Sequence, residues 1–130
     1  MLNFFKRKPD LPDLSFIGVD MHSHLLPGLD DGLKTLEESI AFIRSLQDLG
    51  YHKLICTPHI LAEVYPNTPG TILPKLDMVR KELALQNIDM KIEAAAEYMV
   101  DVDMEKLVDS NKPLLTFGDK YILIEMSYIA

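Results

Sequence analysis

Asp20-Met21-His22-Ser23-His24-Leu25-Leu26-Pro27-Gly28-Leu29-Asp30-Asp31-Gly32 is the stretch on which the reading of this chain turns. Phe16-Ile17-Gly18-Val19 before it is the short apolar run of a buried strand. Residues two apart on a strand share a face. His22 and His24 can therefore point together out of the carboxyl end of that strand, as neighbouring ligands of one metal ion. Pro27-Gly28 and Asp30-Asp31-Gly32 then turn the chain sharply and can bring a carboxylate back over the histidines. Taken alone, a His-x-His is more often structural than metal-binding, and an Asp-Asp-Gly is usually only a turn. The weight comes from the residues that accompany them further along the chain.

Composition narrows the class before any motif does. With 130 residues, 48% hydrophobic and 25% charged, the chain suits one ordinary globular core. Its formal net charge of -7 argues against non-specific nucleic-acid binding. An anionic substrate would need bound cations to make the site attractive. A lone cysteine, Cys56, excludes an internal disulfide and fits a reducing compartment. No apolar run approaches the ~20 residues of a membrane span. The basic-aromatic head before Pro9 lacks the apolar centre of a secretory signal. The expected location is cytoplasmic.

Residues 1–15 read as an extended segment, with Pro9 and Pro12 opposing regular structure. A first strand is expected from Phe16 to Met21. Thr35 and Glu38 form a capping box for a helix whose stripe is Leu36, Ile40, Ile43, Leu46 and Leu49, stopped at Gly50. Lys53 to Cys56 is the second strand, ended by Thr57-Pro58-His59. A loop over 60–70 leads to a helix from Ile72 to Gln86, with Pro74 in its first turn and Leu76, Val79 and Leu83 buried. Met90 to Ala96 is a third strand closing on Glu97. Asp103 caps a short helix to Ser110, and Tyr121 to Ile124 is a fourth strand closing on Glu125. The alternation predicts an α/β fold with a parallel sheet and right-handed crossovers, in one domain without internal repeats.

The functional signal is positional. His22 and His24 finish the first strand, His59 the second, Glu97 the third and Glu125 the fourth. In parallel α/β sheets and barrels the site sits at the carboxyl ends of the strands. A glutamate after Ala94-Ala95-Ala96 or Ile124 is otherwise an awkward, half-buried charge. Mixed imidazole and carboxylate donors suit manganese, iron or zinc better than calcium. A carboxylate such as Glu97 can bridge two ions, which together hold a hydroxide and polarise a phosphoryl oxygen. Elsewhere the plainer reading applies. His52 lies at the opposite end of its strand, Cys56 is packing, and Tyr98 is divided between packing and support of the site. Met78, Met90 and Met104 fill the core, and Arg44 and Arg80 are solvated on helices.

These motifs taken together resemble the polymerase-and-histidinol-phosphatase (PHP) superfamily: Asp20-Met21-His22-Ser23-His24, the Leu26 to Gly32 run, Thr57-Pro58-His59, Ala96-Glu97-Tyr98 and Ile124-Glu125. Within it, the Pro-Gly-x-Asp-Asp-Gly loop and Tyr65-Pro66-Asn67-Thr68-Pro69 are most similar to manganese-dependent protein-tyrosine phosphatases of bacterial capsular and exopolysaccharide operons. The resemblance runs from about Phe16 onward. It implies a distorted, seven-unit (β/α) TIM-like barrel and up to three divalent ions, manganese first, with iron or zinc as alternatives. It also implies hydrolysis by a metal-activated water. It implies that His22, His24 and Glu97 hold one ion, that Glu97 bridges to a second, and that Asp31, His59 and Glu125 serve the rest. The implied substrate is a phosphotyrosine protein, and the implied partner a bacterial tyrosine autokinase controlling polysaccharide export.

The family pattern also requires a further histidine after strand five, an Asp-x-His late in the barrel and phosphate-binding arginines, which are not expected within a chain that reaches only Ala130. A complete barrel takes ~250 residues. Residues 16–130 are therefore expected to form a partial domain with an open parallel edge, self-associating to cover it and possessing uncertain activity. Two alternatives stay open: a histidinol-phosphatase-like small phosphomonoesterase, and a non-catalytic metal-binding or interaction fragment.

Overall fold

A computed structural model of the chain describes residues 11–127. The expectations for residues 1–10, including the basic-aromatic head, lie outside them. Among the described residues six strands and three helices follow in this order: β1 (Val19–Ser23), α1 (Leu36–Asp48), β2 (Lys53–Cys56), β3 (His59–Ile60), α2 (Pro69–Leu85), β4 (Lys91–Ala94), β5 (Glu97–Met99), α3 (Val102–Asp109) and β6 (Leu123–Glu125). Every pairing between these strands is parallel, in the orders β1-β2-β4 and β3-β5-β6. The expected mixed α/β architecture with parallel strands is present. No closed barrel occurs among the described residues.

The expected second strand is present as β2, but pairing resumes past Thr57-Pro58 as β3, where the strand was expected to give way to a loop. The expected third strand is broken in two, halting at Ala95-Ala96 and resuming as β5. Pro58 cannot donate to a ladder, but its carbonyl still accepts, from the Glu97 N–H at 3.0 Å. The Ala95 N–H reaches the Cys56 carbonyl at 2.8 Å. The ladder thus crosses both breaks, and His59 emerges in register with Glu97. His59 and Glu97 therefore open new strands instead of finishing old ones.

The first strand starts three residues later than its apolar run implied. Leu14 to Gly18 folds into a turn, with the Ile17 and Gly18 N–H groups on the Leu14 carbonyl, and Phe16 is 82% exposed. The capping box of α1 forms as expected: Thr35 accepts from the Glu38 N–H, and Glu38 from the Thr35 N–H. Gly50 has φ +101, which only glycine adopts freely, and an added Cβ would lie 2.6 Å from the Ser15 nitrogen. Helix α2 begins three residues early, because Thr68 and Thr71 cap it reciprocally and Pro69 fills its first turn. Pro74 consequently lies inside the helix, beyond the first turn. Helix α3 is capped by Asp101, whose carboxylate accepts from the Met104 N–H at 2.8 Å, and not by Asp103.

The core lies between the sheet and the helices. Ile40 and Ile43 of α1 and Ile72, Leu76, Val79 and Leu83 of α2 pack with Leu54 of β2 and Ile92 of β4. Full burial of each such side chain contributes on the order of 1.5–3 kcal/mol. Met90 is buried and Met104 partly so, but Met78 is 42% exposed and fills no core. Arg80 is not simply solvated: its guanidinium donates twice to the Ile92 carbonyl, at 3.1 and 2.8 Å, tying α2 to β4. Arg44 donates to Gln86 Oε1 at 2.7 Å and links α1 to the end of α2.

Candidate metal centre

The strand breaks bring the predicted donors together at one rim. Glu97 is 8% exposed and stands at the centre. Its Oε1 lies 3.9 Å from His22 Nε2, and its Oε2 lies 3.4 Å from His24 Nε2 and 3.3 Å from His59 Nδ1. Glu125 Oε2 is 3.2 Å from His59 Nδ1, and Asp31 Oδ1 is 3.6 Å from His59 Nε2. The donors fall into three overlapping groups: His22, His24 and Glu97; His24, Asp31 and His59; and His59, Glu97 and Glu125. All six sequence-predicted residues belong to at least one of them. The His22 and His24 rings meet edge to face at 5.2 Å, as two residues apart on one strand should.

The chemistry of the set fits a divalent cation. Ligand atoms about 2.0–2.2 Å from a shared ion stand roughly 3–3.6 Å from one another, which is close to the spacing around Glu97. Glu97 Oε2 is buried without a hydrogen-bond partner. A carboxylate oxygen removed from water without a partner is costly, and a cation removes that cost. No Lys or Arg makes an ion pair with Asp31, Glu97 or Glu125 among the described residues.

Two residues that sequence reasoning passed over orient the histidines. Asp30 is buried, and its Oδ2 lies 2.7 Å from His24 Nδ1. The same carboxylate accepts from the His59 N–H at 3.0 Å and the Gly32 N–H at 2.9 Å. With Nδ1 of His24 occupied by Asp30, its lone pair is at Nε2, facing Glu97. Thr57 holds the ring of His22, with Oγ1 2.6 Å from Nδ1. Hydrogen bonding to Asp30 raises the pKa of His24 against the opposing effect of burial. Burial pushes Asp30 up, but its bonds with His24, Gly32 and His59 outweigh this and hold it below its ordinary value. Gly32 is required by space: an added Cβ would collide with the His24 carbonyl and Cβ. The signal for Asp30 was present in the sequence, since an aspartate two residues before a turn glycine commonly accepts from that glycine's N–H.

The remaining residues sort plainly. Cys56 is fully buried, and burial pushes its thiol up to about 12, so it is packing and not a nucleophile. Tyr98 follows Glu97 in β5 and so faces the other side of the sheet, where its buried hydroxyl accepts from the Leu115 N–H at 2.8 Å. His52 is exposed and its N–H bonds the Gly18 carbonyl, away from the rim.

Residues 18–130 match the family model described as capsular polysaccharide synthesis, CpsB/CapC. The chain belongs to this family. Tyrosine-protein phosphatase YwqE of Bacillus subtilis is 32% identical over 111 residues, covering 85% of this chain and 43% of that relative. Tyrosine-protein phosphatase CpsB of Streptococcus agalactiae is 31% identical over 110 residues, covering 84% and 45%. A solved structure described among the metal-dependent tyrosine phosphatases YwqE from Bacillus subtilis and CpsB from Streptococcus pneumoniae superposes with a TM-score of 0.75 at 31% identity. That superposition covers 85% of this chain and 44% of the other. The chain thus spans less than half the length of these CpsB/CapC relatives.

Proposed function

We propose that the chain forms the metal-gathering part of a CpsB/CapC-type metal-dependent protein-tyrosine phosphatase. The observation that carries this is Glu97: buried, with one oxygen unpartnered, between two histidines of β1 and the His59–Glu125 pair. In this reading His22, His24 and Glu97 would hold one ion, and Glu97, with His59 and Glu125 or with Asp31 nearby, would be shared with a second. A neutral imidazole has one free lone pair, so His59 serves either the Glu97–Glu125 side or Asp31, not both. Divalent ions held there supply Lewis acidity toward a phosphoryl oxygen and a nucleophilic water near neutral pH. Asp30 and Thr57 keep the two ligand rings oriented. The rim carboxylates repel an anionic phosphoester until cations offset them.

The finer assignments rest on the same basis. The mixed donor set suits manganese, iron or zinc better than calcium, and the family resemblance puts manganese first. Family membership supports a phosphotyrosine protein as substrate, with a tyrosine autokinase of capsule synthesis as its source, acting in the cytoplasm. No helix among the described residues is long and apolar enough to cross a membrane. We take residues 16–130 as one partial PHP-type barrel domain following a 1–15 segment. The exposed Ile124 and Met126 at β6 support self-association along that edge.

The test is phosphate release from a phosphotyrosine peptide by the manganese-loaded chain, beside metal analysis of the same sample. Loss of both in His22→Ala/His24→Ala is the expected result. Hydrolysis surviving that double substitution would exclude the metal mechanism. Bound metal with no hydrolysis in the unsubstituted chain would favour the non-catalytic reading.

A further inference from the structure

His59 is held at both ends of its backbone. Its N–H donates to Asp30 Oδ2 at 3.0 Å, and its carbonyl accepts from Asn67 Nδ2 at 2.9 Å. Those two bonds fix its backbone but leave its ring free, because the torsion that turns an imidazole about its Cβ–Cγ bond is soft and nearly two-fold. The ring is instead covered by Tyr65: the centroids are 5.5 Å apart and the planes differ by 13°. Offset stacking on that flat neighbour favours the plane the imidazole now occupies over other settings of the soft torsion.

Which nitrogen faces which carboxylate decides the chemistry here. His59 Nδ1 is directed to Glu97 and Glu125, at 3.3 and 3.2 Å, and Nε2 to Asp31 at 3.6 Å. With one lone pair available, a flipped ring would offer it to the other side.

We propose that Tyr65 is a positioning residue: its ring, held by the 61–67 hairpin, sets the ring plane of His59 and so the direction of the lone pair given to a metal ion. This rests on the metal-centre reading above. The hairpin is built to hold Tyr65 firmly. Its backbone exchanges two bonds with Leu61, at 3.1 and 2.8 Å, and its carbonyl also accepts from the Asn67 N–H at 2.6 Å. Asn67 is buried and ties the hairpin to the β1 loop, donating to the Leu29 carbonyl at 2.9 Å. All these bonds use the backbone of residue 65 or the side chain of Asn67. Replacing the Tyr65 side chain therefore removes the stack and leaves the hairpin.

The experiment compares the full chain with Tyr65→Phe and Tyr65→Leu, using two readouts. The first is the proton resonance of His59 Cε1 in the metal-free protein, assigned by its absence in His59→Gln. The second is Zn2+ affinity, measured by competition with a chromophoric chelator. In the unsubstituted chain the resonance is displaced by the Tyr65 ring current. Tyr65→Phe keeps that displacement and the affinity. Tyr65→Leu loses the displacement, and its affinity falls by about 10- to 100-fold, the range typical of groups that orient a ligand. Unchanged affinity in Tyr65→Leu overturns the inference about Tyr65 while leaving the metal centre standing. An equal loss in Tyr65→Phe also overturns it, since the stack would then not be the cause. No Zn2+ binding by the unsubstituted chain overturns the metal reading and this inference together.

Discussion

Asp30 shows most clearly how one side chain organises the rim. Its carboxylate accepts from the His24 ring and from two backbone N–H groups, and so holds three parts of the rim at once. The hydrogen bond to Asp30 raises the pKa of His24 above its ordinary 6.5. That stabilisation is complete below 6.5 and disappears as pH rises through the raised, folded-state value. Asp30 is shifted the other way, below its ordinary 3.8, so its contribution is present above 3.8 and lost as pH falls through the lowered value. The metal-free chain should therefore melt at a lower temperature above the raised His24 pKa than at pH 6, and Asp30→Asn should flatten that slope. A melting temperature equally pH-dependent in Asp30→Asn would contradict the pairing. Sequence pointed to Asp31, which is 64% exposed at its side chain and reaches His24 only at 4.0 Å. Two adjacent aspartates in a turn look alike until the turn is built and one carboxylate folds beneath it.

At the scale of the element, the strand breaks matter most. Had β2 continued straight through Pro58, alternation alone would have governed where His59 pointed. The interruption lets His59 restart in register with Glu97. Local patterns revealed the elements bounded by side-chain chemistry, such as the Thr35–Glu38 box and the Lys53–Cys56 strand. They could not reveal a break that is bridged by hydrogen bonds between strands far apart in sequence. The same limit explains α3, where Asp101 and Asp103 are both acceptable caps and the approach of the chain from β5 selects Asp101. The β1 loop carries a prediction of its own. Gly32→Ala forces the His24 backbone aside, so it should lower divalent-metal affinity far more than Gly70→Ala, whose added Cβ meets only Thr68 Oγ1 at 3.5 Å. Competition titration of both variants checks this, and equal affinity would remove the claim that close approach at Gly32 shapes the site.

Over the described residues the molecule is a pair of three-stranded parallel sheets whose donors gather at one rim, with helices α1 and α2 covering the core behind β2 and β4. The broad alternation of strands and helices was readable from chain pattern, as was the placing of His22, His24, Glu97 and Glu125 after short apolar runs; Asp31 entered only through the family resemblance. Barrel closure was not, because closure depends on partners for β1 and β6, and each of these pairs with a single strand here. The central claim is that Glu97 is a shared carboxylate around which cations collect. Titration of the metal-free chain with Mn2+, following the electron paramagnetic resonance signal of the free ion, tests it directly. The unsubstituted chain should deplete that signal, and Glu97→Gln, checked for an unchanged circular dichroism spectrum, should leave most of it. Equal depletion by the two proteins would contradict the account.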